Sequence, residues 1–173
     1  MKTFEDSIIS RLQLLEREVE RLRVGDKADS AAFLLDSGWK SYTPTWTAAT
    51  TNPSIGNGTL SGRYVQIGKT CVLVIALTAG TTTTFGSGNW SFSLPKTAKN
   101  TSGINFYGVA HIRKVGTANY ERIAQISPSV STTVINMFTD PTPGSNSANI
   151  SATVPFTWGN GDALGIEITY EME

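Results

Sequence analysis

The spacing of apolar positions changes once along this chain, and the change divides it into two structural regimes. Near the N-terminus, Ile8, Leu12, Leu15, Val19 and Leu22 recur in alternating steps of four and three. That is the a and d spacing of a helix burying one narrow seam against partner helices. From Tyr42 onward the composition shifts to Thr, Ser, Gly, Asn and β-branched residues, and the period falls to two. Leu164, Ile166, Ile168, Tyr170 and Met172 alternate with Gly165, Glu167, Thr169, Glu171 and Glu173, which predicts a strand with one buried face. Tyr64 to Ile67, a turn at Gly68-Lys69 and the apolar run within Thr70 to Thr78 predict a hairpin, its second strand buried on both faces. Trp90, Phe92 and Leu94 alternate with serines. Ile104 to Ile112, Tyr120 to Ile126, Val130 to Phe138 and Ala148 to Val154 supply further strands. Roughly eight short strands between Gly, Asn and Pro turns predict an antiparallel β-sandwich of jelly-roll type.

The helix also carries charge information. With Leu12 and Val19 at a, the g positions are Arg11 and Glu18, and the e positions five residues on are Glu16 and Arg23. Both pairs are opposite in sign, and only a parallel, in-register bundle of identical chains brings g of one helix beside the following e of its neighbour. Arg11 to Glu16 resembles the short trimerisation motif Arg-apolar-x-x-apolar-Glu, which implies three strands with Arg11 bonding Glu16 of the next chain. The alternative is an amphipathic helix packed on its own domain. The narrow seam and the charged face from Glu16 to Arg23 favour the coil. A helix of about 20 residues is marginal alone, so the rest of the chain must help to hold the copies together. The expected organisation is a trimeric coiled coil and attachment segment over 1–25, a linker or collar over 26–45, and the sandwich over 46–173.

Lys plus Arg and Asp plus Glu both number 14. A net charge of zero offers no field to draw nucleic acid or an anionic membrane. No run of about 18 apolar residues is present, so membrane insertion is not expected, and no secretory leader is read at the N-terminus. Cys71 is the single cysteine, which leaves no disulfide framework and no paired-thiol metal site.

A resemblance adds to this reading. Trp39-Lys40-Ser41-Tyr42-Thr43-Pro44-Thr45-Trp46, the stretch Asn52 to Tyr64 with Gly56-Asn57-Gly58, the stretch Thr83 to Pro95, and Val154 to Leu164 resemble a module recurring in virion proteins of tailed bacteriophages, especially those of actinobacteria. The resemblance implies a surface-exposed homotrimeric module of tail or head, made in the host cytoplasm, that docks on other virion proteins through its N-terminal end. Tail receptor-binding proteins of similar plan carry three β-sandwich heads on a helical bundle. Recognition of a host-surface glycan by the tail is the leading expectation, with Tyr107, His111, Trp158, Asn160 and Asp162 nominated to stack on sugar rings and bond hydroxyls. Capsid decoration at threefold or quasi-threefold points is the alternative, favoured by a coil that begins almost at residue 1. A cell-wall glycan hydrolase is a distant third.

No catalytic residue, metal or cofactor is expected. Gly56-Asn57-Gly58 lacks the spacing and following helix of a phosphate loop, and Gly86-Ser87-Gly88 is a hairpin turn rather than a nucleophile elbow. His111, the single histidine, sits in a strand pattern and reads as a partly exposed structural or interface residue. Cys71 reads as a small core hydrophobe. Asp140 and Asp162 are carboxylates of the kind that flank a glycosidic bond, but loop aspartates are usually turn formers. Asn57, Asn89, Asn100 and Asn149 open Asn-x-Ser/Thr sequons, which without a secretory route mean only Ser- and Thr-rich β structure.

Overall fold

A computed structural model describes residues 4, 6, 8–21, 38–101, 103–138 and 148–173. The chain forms two compact units, 1–38 and 39–173. In the first, residues 4, 6 and 8–21 are helical, and every one of them is exposed. Leu12, Leu15 and Val19 of the seam expose 53%, 62% and 53% of their surface, Ile8 43%. Among the described residues the apolar stripe is thus an exposed surface. Glu18 pairs with Arg21 one turn on, at 2.5 Å, and the Ser10 hydroxyl bonds back to the Asp6 carbonyl. Leu22 and Arg23, with the expected helix stop at Val24-Gly25-Asp26, lie outside the described residues, as does Asp140.

The second unit is mainly β. Its strands are β1 (Lys40–Tyr42), β2 (Trp46–Ala48), β3 (Thr59–Ile67), β4 (Thr70–Thr78), β5 (Trp90–Ser93), β6 (Phe106–Lys114), β7 (Ala118–Ile126), β8 (Val134–Phe138) and β9 (Ala163–Glu171). All pairings are antiparallel, in the order β1-β3-β4-β9-β6-β7-β8-β5-β2. The two packed sheets expected of a jelly roll are thus one continuous sheet, curled on itself. Alternation shows which side chains share a face, but it does not show whether hydrogen bonding is interrupted between sheets.

The closure of the roll falls to two three-residue strands. β1 lies on one edge and β2 on the other, and residues 43–45 carry the chain between them. The Thr45 N–H donates to Ser93 Oγ at 2.8 Å, the Ser93 N–H donates to the Thr45 carbonyl at 3.0 Å, and the Tyr42 hydroxyl reaches the Ser93 carbonyl at 3.3 Å. Tyr42 lies flat over Gly62, where any side chain would collide with its ring. Edge strands expose unpaired backbone groups, and the bonds to Ser93 tie the two edges together at one end. Residues 39–45, expected as linker, consequently belong to the β unit. Ala148 to Val154, expected as a strand, forms isolated bridge positions at Asn149, Ser151 and Val154 and a strap in which Ile150 bonds Met137 and Trp90.

Inside the roll, Cys71, Leu73, Ile75 and Leu77 of β4 meet Leu164, Ile166, Ile168 and Tyr170 of β9, Ala110 and Ile112 of β6, and Ile135 and Met137 of β8. Burial, foremost, pushes the pKa of the Cys71 thiol up and holds those of the Tyr170 and Tyr42 hydroxyls well above the ordinary tyrosine range. All three groups stay protonated, as an apolar interior requires. One end of this core is aromatic: Trp46 and Trp90 meet edge to face at 4.7 Å, and Trp158 lies 5.0 Å from both Trp90 and Phe156.

The outer face of β4 departs from expectation. Val72 and Val74 are half-buried and Ala76 is exposed, so the run is fully buried on one face only.

Candidate functional site

The ends of the roll differ in what they display. Residue 39, where the chain enters the β unit, lies on the side of the β3–β4 hairpin turn, because Lys40 pairs with Tyr64 and Ile67 with Thr70. Met172 bonds Lys69 at the same end. The opposite end, the apex, gathers loops 49–58, 79–89, 115–117 and 151–162. Thr51 bonds Ser87, Ala79 bonds Asp162, and Gly161 bonds Ala79 through the backbone. Asn57 fastens the first two loops, its amide bonding Thr81 Oγ1 at 2.8 Å while its carbonyl oxygen accepts from the Thr82 N–H at 2.9 Å. Short polar side chains satisfying loop backbone in this way keep a turn-rich surface in one shape.

Asp162 holds the fourth loop. It is buried, with Oδ1 accepting the Val115 N–H at 2.9 Å and Oδ2 accepting the Gly159 N–H at 2.8 Å and Lys114 Nζ at 3.3 Å. Lys114 also donates to the Thr157 carbonyl at 2.8 Å and lies over the Phe156 ring at 4.6 Å. Gly161 takes the left-handed conformation, φ 82°, within this turn and abuts Val115. One carboxylate thus ties the β6–β7 hairpin to the loop before β9. Replacing Asp162 with Ala will leave two backbone donors without partners and cost about 2–4 kcal/mol. Asn will cost nearly as much, since its amide accepts through one oxygen where the carboxylate accepts through two. Denaturant unfolding of both variants checks this; an Asn variant of wild-type stability would mean that one backbone bond suffices.

The nominated ligand residues separate under this geometry. Trp158 is buried in the aromatic cluster, its Nε1 directed to the Val154 carbonyl at 3.4 Å, and Asp162 is spent on the turn. Neither faces solvent, which corrects their nomination as sugar contacts. Asn160 is exposed at the apex. Tyr107 and His111 lie elsewhere, on the outward face of β6, where Tyr107 accepts from Gln125 at 3.2 Å and His111 stands between Glu121 of β7 and Gly165 of β9. The five residues do not form one site.

The apex does contain a concave surface that the sequence reading missed. The β6–β7 hairpin walls a depression of about 440 Å³ lined by Arg113, Lys114, Val115, Gly116, Thr117 and Asn119. Arg113 and Asn119 are exposed, Val115 exposes 52%, and Arg113 makes only a 3.5 Å contact with the Gly161 carbonyl. A guanidinium, an amide and an exposed aliphatic surface are suited to a hydroxyl-rich or anionic ligand. The signal in the sequence was two adjacent cations preceding a Val-Gly turn. Among the described residues no three His, Cys, Asp or Glu side chains gather as metal ligands, and no helix is long and apolar enough to cross a membrane.

Comparison with known proteins bears on what this surface serves. The chain is 34% identical over 124 residues, 70% of its length, to a Haemophilus influenzae protein described as the Mu-like prophage FluMu defective tail fiber protein. The likeness supports a phage tail-type structural protein. The chain spans 18% of that relative's length. No family model matches the chain, and no solved structure does.

Proposed function

We propose that this chain is a non-enzymatic tail component that assembles as a homotrimer and recognises a host-surface glycan through the apex of its β unit. The likeness to a tail fiber protein is the observation that carries the reading, and it favours tail over capsid. Two structural features support it. The apolar stripe of the N-terminal helix is exposed in the single chain, as a coiled-coil seam is before it meets its partners. The apical loops lie at the end of the β unit opposite residue 39, where the chain enters it, and are gathered there as one surface. The ligand surface is then the depression of Arg113, Val115 and Asn119 with Asn160 nearby, in place of Trp158 and Asp162. Three copies of a weak site engaging one cell surface gain avidity without any new contact.

The test is binding of the purified full-length chain to a panel of bacterial surface polysaccharides. Arg113→Ala combined with Asn160→Ala will weaken binding at least about tenfold, the loss of one charged and one neutral hydrogen bond, with thermal unfolding unchanged. Unaltered binding by this variant would move the ligand away from the apex. Binding to phage heads with no affinity for any polysaccharide would instead establish capsid decoration.

A further inference from the structure

The chain changes strand partners once between β1 and β2, and the change leaves a gap in the wall of the roll. Lys40 to Tyr42 pair with β3, residues 43–45 cross over, and Trp46 to Ala48 pair with β5. Beyond the crossing, β2 and the first residues of β3 face each other as free edges. Register shows which backbone groups point into the gap. The Thr45 carbonyl accepts from the Ser93 N–H and the Ala49 N–H donates to the Asn89 carbonyl, on the β5 side. The N–H and C=O of Trp46 and Ala48 therefore point the other way. Asn52 Oδ1 caps the Ala48 N–H at 3.1 Å. On β3, the bonds of Lys69 to Met172 and of Ala79 to Asp162 put the odd-numbered residues of β4 on its β9 side. The even-numbered ones bond Thr59, Ser61 and Arg63, so Leu60 turns its N–H and C=O toward the gap. β1 covers β3 only from Gly62 onward. Among the described residues, Trp46 and Leu60 thus each hold a backbone donor and acceptor with no strand opposite. The indole Nε1 of Trp46 is also buried without a hydrogen-bond partner. Such unpaired buried donors are uncommon in folded proteins.

The gap forms a cleft of about 490 Å³, within the size range of small-molecule sites. Pro44, Pro53, Ile55 and Leu60 give it aliphatic surface, and Thr43 and Thr59, both exposed, add hydroxyls at its mouth. None of the side chains lining it is charged. We infer that this cleft is a second binding site, separate from the apical depression, and that it takes one neutral pyranose sugar unit. A pyranose carries aliphatic C–H faces and a girdle of hydroxyls that both donate and accept. Its faces suit the proline and leucine surfaces, and its hydroxyls supply the partners that the Trp46 and Leu60 backbone groups lack. An ionised sugar would bring a carboxylate against neutral groups with no cation to meet it, which is unfavourable. An extended peptide adds to a free strand edge only along an open run of it. Here each edge offers one uncapped residue, between the crossing at 43–45 and the loop 49–58 that joins β2 to β3. The cleft and the apical depression share no residue, so neither site depends on the other.

Nuclear magnetic resonance of the ¹⁵N-labelled full-length protein tests this, by titration with methyl glycosides of neutral hexoses and N-acetylhexosamines. Methyl glucuronide and a blocked tripeptide serve as contrasts. At least one neutral glycoside will shift the Trp46 and Leu60 backbone amides saturably, with the millimolar affinity of a ligand this small. Methyl glucuronide will bind there at least about tenfold more weakly. Thr59→Trp will fill the mouth from an exposed position and abolish the shifts with thermal unfolding unchanged; Thr43→Trp does the same from the other rim should the first variant unfold early. Arg113→Ala will leave the shifts as they are, which separates failure of this site from failure of the apical one. Saturable shifts confined to Arg113 and Asn119, or none with any neutral glycoside, would overturn the second site. Shifts that survive both tryptophan variants would overturn its location. Methyl glucuronide or the tripeptide binding there as tightly as the best neutral glycoside would overturn the ligand class.

Discussion

Trp90→Ala will destabilise the β unit by about 3–5 kcal/mol, a large share of the stability of an ordinary domain. The indole is fully buried where four parts of the chain meet. It contacts Trp46 of β2 edge to face, lies 5.0 Å from Trp158 in the loop before β9, and stacks on Phe85 at 6.2 Å. Its Nε1 donates to the Phe85 carbonyl at 3.0 Å, and its backbone N–H bonds the Ile150 carbonyl. Removing the ring therefore opens a cavity under the apex and leaves the Phe85 carbonyl without its partner. The surrounding rings belong to separate loops and cannot close together over the space without dragging those loops inward, so the cavity cost is paid nearly in full. Chemical denaturation followed by tryptophan fluorescence checks the loss; Trp90→Phe should recover much of the packing without the hydrogen bond. A change under about 1 kcal/mol for the Ala variant would mean that the apex is not built on this cluster.

The same residue shows what was legible beforehand. Alternation at Trp90, Phe92 and Leu94 placed β5 and, most clearly, Leu164 to Met172 placed β9, while candidate segments covered much of β3, β6 and β7 and a continuous apolar run marked β4. β1 and β2 have three residues apiece, too short for a period, yet they close the roll; their pairings with Gly62 and Phe92 are long-range facts. Side-chain direction in loops was equally hidden. Trp158 and Asp162 look alike as exposed loop residues in sequence, and the structure turns one into the core and the other under the hairpin. β4 was misread for a different reason. A continuous apolar run reports surfaces that avoid water, and in a single chain only the inner one does so.

On the proposed coiled-coil trimer, Leu12→Ala with Leu15→Ala will convert the full-length protein from three chains to one at micromolar concentration. Each leucine fills a seam position that is more than half exposed in the single chain, so burial of these side chains is gained on association. A buried Leu to Ala change typically costs about 2–5 kcal/mol, and a trimer contains six of these leucines, so the combined loss exceeds what the shorter contacts of a helix this size restore. The helical signal should fall with the mass, since an isolated helix of about 20 residues is marginal in water, while the β signal and its unfolding transition remain. Arg11→Ala provides the contrast: an exposed ion pair is worth under about 1 kcal/mol, and that variant should remain trimeric. Light scattering with far-ultraviolet circular dichroism separates the outcomes. A double variant that keeps the mass of three chains after losing its helix would place the association energy in the β units. A wild-type protein that is already monomeric would make the seam an ordinary amphipathic stripe. Between those limits, a trimer weakened but not abolished would divide the association energy between the helix and the β units.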